Sequence, residues 1–217
     1  MISDFKQIIN AFKEINTHLT HQTNIYLIGG AVLLYHGIKP ATKDIDIILP
    51  DQTTFTNLLA AMTKLGYKEK IPTGSYKKMQ MSTILENADN RFDLFVQKVC
   101  KKIVLTTNMK KRSTPILQQK YLNVFLCSNE DIFIFKSITE RSGDLEDCAA
   151  LAKRGINWEI ILHEIQNQIQ HSKEDIWITW IGERMDILQE EGINIPIMKK
   201  IDELRDTYFD SLEKKIG

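Results

Sequence analysis

The spacing of apolar residues changes several times along the first half of the chain. A spacing of three or four residues, typical of an amphipathic helix, follows the predicted N-cap Ser3 and recurs after Pro50. Between these helices, short apolar runs bounded by glycine or polar residues are typical of strands. The pattern predicts helices over 5–19, 31–36 and 51–65, and strands over 24–28, 44–49, 67–70, 78–85, 91–96 and 121–127.

After residue 128 the pattern is helical. Ser128-Asn-Glu-Asp131 has the form of a capping box, and Ser172-Lys-Glu-Asp175 has the same form. The pattern predicts helices over 129–141, 144–154, 157–170, 173–190 and 196–215. We therefore predict an α+β protein with two regions, a mixed α/β domain over 1–128 and a C-terminal helical region over 129–217.

Two aspartates interrupt the apolar strand predicted over 44–49. Residues two apart in a strand face the same side, so Asp44 and Asp46 should converge while the intervening isoleucines pack on the opposite face. Carboxylates this close repel each other, and keeping them on a half-buried strand is costly unless a cation or a basic group compensates. Asp93 interrupts the strand predicted over 91–96 in the same way, and we expect it to reach the same site from an adjacent strand. Because Mg²⁺ prefers oxygen ligands and substrate phosphates commonly complete its shell, the trio indicates phosphoryl or nucleotidyl chemistry.

A glycine pair precedes these acids, where the first strand meets a helix. Gly29 and Gly30 would let a phosphate approach backbone N–H groups closely. Thr42 and Lys43, just before the acid pair, are predicted to help position phosphate or base. Taken alone, a glycine pair is more often a plain turn than a phosphate loop, and the acid pair alone could be a solvated strand edge. Their order along the chain, with Asp93 after them, favours the site.

These residues resemble the signature of the nucleotidyltransferase superfamily, which includes DNA polymerase beta and CCA-adding enzymes. More narrowly, residues 29–49 and 130–153 look like a prokaryotic family of nucleotidyltransferase-like proteins related to abortive-infection toxins. In that group a downstream lysine, an arginine and two aspartates recur, and here they match Lys136, Arg141, Asp144 and Asp147. The same four residues could instead form surface ion pairs, each contributing less than about 1 kcal/mol.

The resemblance implies a nucleotidyltransferase-fold mixed β-sheet flanked by helices, followed by a C-terminal helical region. It implies transfer of a nucleoside monophosphate from an NTP, such as ATP, to a hydroxyl of an RNA (tRNA-like) or protein acceptor. A toxin–antitoxin or defence setting follows from the same resemblance, with a homo-oligomer or a cognate antitoxin as partners. The alternative is a catalytically inactive nucleotide-binding or protein-interaction module that keeps the fold.

The resemblance also implies a role for each matching residue. Asp44 and Asp46 would bind two magnesium ions, and Asp93 would hold the ion that activates the acceptor hydroxyl. The three aspartates are thus the predicted catalytic and metal-binding residues. The predicted nucleotide-binding residues are Gly29, Gly30, Thr42, Lys43, Lys136 and Arg141.

The composition and the absent motifs argue against several classes of protein. Lys plus Arg and Asp plus Glu number 28 each, so no global basic field favours a nucleic-acid coat protein, although the basic residues between Lys98 and Arg112 could contact an RNA backbone. Three cysteines without a CxxC pair argue against a disulfide framework or a zinc site. The sequence has no P-loop, HExxH or GxSxG motif. Without a signal peptide or a membrane-spanning apolar run, we predict a cytoplasmic protein.

Overall fold

The structure, a computed structural model, describes residues 1–71, 83–171 and 175–216, with side chains described to residue 214. The chain divides into two compact units, Met1–Ser128 and Asn129–Gly217. The described helices of the first unit are α1 (Phe5–His18), α2 (Gly29–Tyr35), α3 (Gln52–Lys64) and α4 (Thr107–Arg112). Its described strands are β1 (Thr23–Ile28), β2 (Ile45–Leu49), β3 (Lys68–Lys70), β4 (Thr83–Glu86), β5 (Arg91–Val96), β6 (Lys98–Val99), β7 (Ile103–Val104), β8 (Thr114–Gln118) and β9 (Leu122–Leu126).

The strands of the first unit form a mixed sheet. Among the described residues, seven strands pair in the order β3-β4-β5-β2-β1-β9-β8, and β6 and β7 form a separate hairpin. Strand β2 lies at the centre, parallel to β5 on one side and antiparallel to β1 on the other. Strand β1 in turn pairs in parallel with β9. The strand that carries Asp46 is therefore held by neighbours on both edges.

At the centre of the sheet, one face is apolar and buried. Ile45, Ile47 and Leu49 of β2 are completely buried. Phe92 of β5, paired with Ile45, is also completely buried and meets the ring of Phe12 in α1 at 5.9 Å between centroids. Because strand residues alternate between faces, burial of this set orients the intervening residues of β2 and β5 to the opposite face.

Several boundaries of the first unit differ from the predicted ones, and helix α2 begins at Gly29, two residues before the predicted start. The N-cap of α1 is Asp4, whose carboxylate accepts from the backbone N–H of Lys6, and not the predicted Ser3. Strand β2 begins at Ile45, so Asp44 lies in the preceding bend. Of the strand predicted over 78–85, residues 78–82 lie outside the described residues, and β4 begins at Thr83.

The second unit is helical in its described part. Its helices are α5 (Asn129–Ser137), α6 (Ser142–Arg154), α7 (Trp158–His171), α8 (Trp177–Glu190) and α9 (Met198–Ile216). The helix predicted to reach residue 141 ends at Ser137, and residues 172–174 of the second predicted capping box lie outside the described residues. None of the described helices combines the length and apolar content that a bilayer span requires.

Candidate active site

The strand register brings two of the predicted catalytic aspartates side by side. Asp46 of β2 and Asp93 of β5 are directly paired in parallel strands. Residues paired in this way project to the same face of a sheet, and here it is the face opposite the apolar core. Asp93 is only 1% exposed, whereas Asp46 is half-buried. Two carboxylates therefore lie on neighbouring strands of one face.

Gly29 lies directly against the Asp46 side chain. Its φ angle is +66°, and a Cβ added there would lie 2.0 Å from Oδ2 of Asp46. The space around Gly30 is also limited, because a Cβ at Gly30 would lie 2.4 Å from Oγ1 of Thr42. Both positions thus need glycine for space, and the first also needs it for its backbone conformation. The glycine pair, Thr42 and Asp46 are neighbours in the structure.

The loop before β2 is held from two sides. Thr42 exchanges two backbone hydrogen bonds with Ile2, at N···O distances of 2.8 and 2.9 Å. The Thr42 hydroxyl donates to the backbone carbonyl of Asp44 at 3.1 Å. Asp44 is half-buried and Lys43 is exposed. Asp44 is therefore positioned by the loop and not by the strand alternation on which the sequence argument relied.

Arg91 binds the third aspartate. Its Nε donates to Oδ1 of Asp93 at 2.8 Å, and its Nη2 donates to Oδ2 at 3.0 Å. The sequence pattern did not indicate this contact: the spacing of two residues places both side chains on one face of the strand, but it does not show that they bind each other. Both oxygens of Asp93 therefore accept hydrogen bonds from one guanidinium.

A family comparison identifies the class of protein. Residues 3–185 match the profile of the family described as "Nucleotidyltransferase of unknown function (DUF6036)". The chain belongs to this nucleotidyltransferase family. No curated protein matches the chain. Among solved structures, the crystal structure of ANT(2″)-Ia in complex with adenylyl-2″-tobramycin is similar at 12% identity and a TM-score of 0.48, covering 76% of this chain and 99% of that one.

Membership in this nucleotidyltransferase family agrees with the predicted fold class. The described strands of the first unit form a mixed sheet with helices packed on it, and the described part of the second unit is helical. The prediction of an α+β nucleotidyltransferase fold followed by a helical region is confirmed. Nucleotidyltransferases are transferases that generally use an NTP and a divalent metal ion.

The oxygen donors of this nucleotidyltransferase suit a hard divalent cation. Asp44, Asp46 and Asp93 offer carboxylates, the ligands that Mg²⁺ prefers. Among residues 1–71, 83–171 and 175–214, however, no group of three or more His, Cys, Asp or Glu side chains is arranged to hold a metal ion. The guanidinium of Arg91 contacts the carboxylate of Asp93. The ligand chemistry fits Mg²⁺, while the third ligand is engaged by a cation of the protein itself.

The second unit of the nucleotidyltransferase contains a buried ionic cluster. Nζ of Lys136 lies 2.7 Å from Oδ1 of Asp144 and 2.7 Å from Oδ2 of Asp147. Arg141 also donates to Asp144, at 2.7 and 3.1 Å. Lys136 is 6% exposed and each aspartate 3%, so the alternative of surface ion pairs is wrong for these three residues. Their contacts give them a structural role, and the roles of Lys136 and Arg141 in nucleotide binding stay predictions.

The ionisation of this cluster follows from its contacts. Burial alone would lower the pKa of Lys136, but the carboxylates of Asp144 and Asp147 raise it above its ordinary value. Burial alone would raise the pKa of Asp144, but Lys136 and Arg141 lower it to about 2. The ammonium of Lys136 and the carboxylate of Asp144 are therefore both charged at neutral pH.

Acid should remove part of the stability that Asp144 provides. Its folded pKa of about 2 lies below the ordinary 3.8, so its contribution is present above about pH 4 and is lost as the pH falls towards 2. The shift corresponds to about 2 kcal/mol. The free energy of unfolding in urea should be measured for the wild type and for Asp144→Asn between pH 6 and pH 2. We expect the difference between the two free energies to shrink as the pH falls.

Glu146 provides the control for this experiment. It lies on the same helix but is exposed. We expect Glu146→Gln to differ from the wild type by less than about 0.5 kcal/mol over this pH range. A difference between the wild type and Asp144→Asn that stayed constant from pH 6 to pH 2 would contradict the lowered pKa.

Proposed function

We propose that this chain is a Mg²⁺-dependent nucleotidyltransferase that moves a nucleoside monophosphate from an NTP to an acceptor hydroxyl. The observation that carries the proposal is the pairing of Asp46 with Asp93 on one face of the sheet, with Gly29 packed against Asp46. Carboxylates on neighbouring strands beside the glycine pair that begins α2 place metal ligands next to backbone that a phosphate can approach closely. The family assignment supports the same class of reaction.

Each residue has a defined task in the proposed reaction. Asp44, Asp46 and Asp93 would hold two magnesium ions, which supply charge neutralisation at the entering and leaving oxygens when bound. Asp93 would also accept the proton of the acceptor hydroxyl. Gly29 and Gly30 would leave the backbone accessible to the triphosphate. Attack of the acceptor oxygen on the α-phosphorus forms the new P–O bond and breaks the bond to the β-phosphate oxygen, which releases pyrophosphate.

Two further residues would position the nucleotide. The Thr42 hydroxyl lies next to Gly30, where it could contact phosphate or base after exchanging its hydrogen bond to the carbonyl of Asp44. Lys43 is exposed beside it and carries a positive charge that would attract the triphosphate. The proposed roles of Gly29, Gly30, Thr42 and Lys43 thus concern the first unit, and Lys136 and Arg141 of the second unit are also proposed to bind the nucleotide.

The distribution of charge favours RNA as the acceptor. Between Asp93 and Glu130 the chain has seven basic residues and no acidic residue, although its net charge is zero. Three of the seven form the last turn of α4, and three others lie on the β6–β7 hairpin. Such a segment attracts a phosphodiester backbone, whereas a protein acceptor offers no comparable uniform charge.

A label-transfer assay tests the proposal. The protein is incubated with each α-³²P-labelled NTP, Mg²⁺ and either total RNA or total protein. We expect label in RNA, and we expect Asp46→Asn to reduce transfer about a thousandfold, because loss of a metal ligand removes several kcal/mol of transition-state stabilisation. Asp89→Asn, which changes an exposed acid in the turn before β5, should transfer like the wild type.

Three outcomes of this assay are informative. Transfer that Asp46→Asn leaves unchanged would refute the mechanism. Label in protein would support the proposed reaction and show that the acceptor is a protein and not RNA. Binding of NTP with no transfer to any acceptor would support the alternative of an inactive nucleotide-binding module.

The proposed biological setting needs a separate test. The toxin–antitoxin or defence role, with a cognate antitoxin or a second copy as partner, rests on the resemblance of residues 29–49 and 130–153 to abortive-infection proteins. We expect induced expression of the wild type to arrest bacterial growth and expression of Asp46→Asn to leave growth normal. Equal growth in both cultures would argue against a toxin.

A further inference from the structure

The ion pair between Arg91 and Asp93 occupies the third predicted metal ligand. Both carboxylate oxygens accept from the same guanidinium, in the bidentate geometry that makes this type of ion pair strong. Asp93 is 1% exposed, so water competes little for its oxygens. The Arg91 side chain is 27% exposed, which leaves part of it open to solvent. A divalent ion that used Asp93 would have to displace a cation already in place.

The neighbouring strand offers this guanidinium a second carboxylate. Arg91 pairs directly with Glu86 of β4, and paired residues of antiparallel strands project to the same face. Glu86 is half-buried and forms a salt bridge with Lys70 of β3. Position 84 of the same strand, which pairs with Asp93, is isoleucine and offers no charge. Glu86 is therefore the carboxylate of β4 towards which Arg91 could turn.

We propose that Arg91 competes with the second divalent ion for Asp93, and that Asp93 becomes a metal ligand only when the guanidinium moves to Glu86. This inference rests on the proposed function and adds a positioning residue to it. Before nucleotide binds, the chain offers Asp44 and Asp46 to a first ion. The second ion binds weakly, because it must break two charge-assisted hydrogen bonds.

Binding of Mn²⁺ without nucleotide tests the competition directly. The probe is the electron paramagnetic resonance signal of unbound Mn²⁺, titrated against the intact chain. We expect the wild type to bind one tight ion, and Asp46→Asn to lose it. Arg91→Met, which keeps an unbranched side chain but removes the guanidinium and its charge, should bind a second ion at least about tenfold more tightly than the wild type. Arg91→Met combined with Asp93→Asn should lose that gain.

Two further variants separate competition from a general effect of mutation. Arg91→Lys keeps the positive charge but loses the bidentate fork, so its gain in the affinity for the second ion should be intermediate. Glu86→Gln removes the alternative carboxylate and should weaken the second ion below the wild type. These opposite directions are not expected if Arg91 only stabilises the fold. Thermal unfolding of each variant without metal checks that the variant is folded. If Arg91→Met does not fold, Arg91→Lys takes its place in the comparison.

The possible results distinguish this inference from the function on which it rests. A wild type that binds two ions with equal affinity, unchanged in Arg91→Met or Arg91→Lys, would overturn the competition and leave the proposed reaction intact. A wild type that binds no Mn²⁺, or binds it independently of Asp46, would overturn the proposed function itself. A second ion that tightens in Arg91→Met and is lost again with Asp93→Asn would establish the competition.

Discussion

Replacing Gly29 with alanine is expected to reduce nucleotidyl transfer by about a hundredfold or more. The new Cβ would lie 2.0 Å from Oδ2 and 2.8 Å from Cγ of Asp46, so the carboxylate would have to swing away. Displacing a catalytic group by about 1 Å can by itself reduce a rate a hundredfold. The positive φ angle adds a backbone penalty of about 1–2 kcal/mol to the free energy of folding.

Gly37 provides a matched control for this substitution. It has the same φ angle of +66°, but a Cβ there would meet nothing within 4 Å. Gly37→Ala should therefore carry the backbone penalty of about 1–2 kcal/mol and retain transfer activity. The difference between the two variants isolates the contact with Asp46.

Label transfer and urea unfolding, measured in parallel on both variants, check this prediction. We expect similar losses of stability and very different losses of activity, together with weaker Mn²⁺ binding only in Gly29→Ala. Equal activity in the two variants would show that the position of the Asp46 carboxylate does not matter for the reaction.

Replacing Lys136 with methionine is expected to lower the free energy of unfolding by about 3–5 kcal/mol. The substitution leaves the carboxylates of Asp144 and Asp147 buried without the ammonium that lies 2.7 Å from each. Arg141 would still bind Asp144 after the substitution. A loss of this size is a large fraction of the stability of a typical domain.

The control is Lys153→Met, which removes an exposed lysine from helix α6. Urea denaturation should show a change of less than about 0.5 kcal/mol for this variant. Adding Asp147→Asn to Lys136→Met should recover part of the loss, because it removes one of the two buried negative charges that Lys136 contacts. A Lys136→Met variant as stable as Lys153→Met would mean that the buried cluster does not contribute to folding.

The sequence predicted best the elements with strong periodicity. The strand predicted over 91–96 agrees with β5 at both ends, and the helix predicted over 51–65 with α3 to within one residue. The β6–β7 hairpin was missed because its strands have two residues each, too few to show alternation. Strand β8 was missed because it contains Pro115, which is depleted in strands, and little apolar alternation.

For the candidate site, the sequence supplied the residue types but not their contacts. It predicted that Asp46 and Asp93 would lie on adjacent strands, and the register places them in direct pairing. It did not indicate that Arg91 would form an ion pair with Asp93, because an arginine in a strand is equally typical of a solvated edge residue. It also could not tell that Lys136 is buried, since a charged residue in a helix is usually exposed.

The bridge between Ile2 and Thr42 has a practical consequence for handling the protein. Residues ahead of Ile2 emerge beside the loop that carries Thr42 and Lys43, and the preceding Met1 is 88% exposed. An affinity tag or fusion partner attached at that end would begin next to Thr42 and Lys43, which are proposed to position the nucleotide. Tags for the binding and transfer assays are therefore better attached after the last helix, or cleaved before measurement.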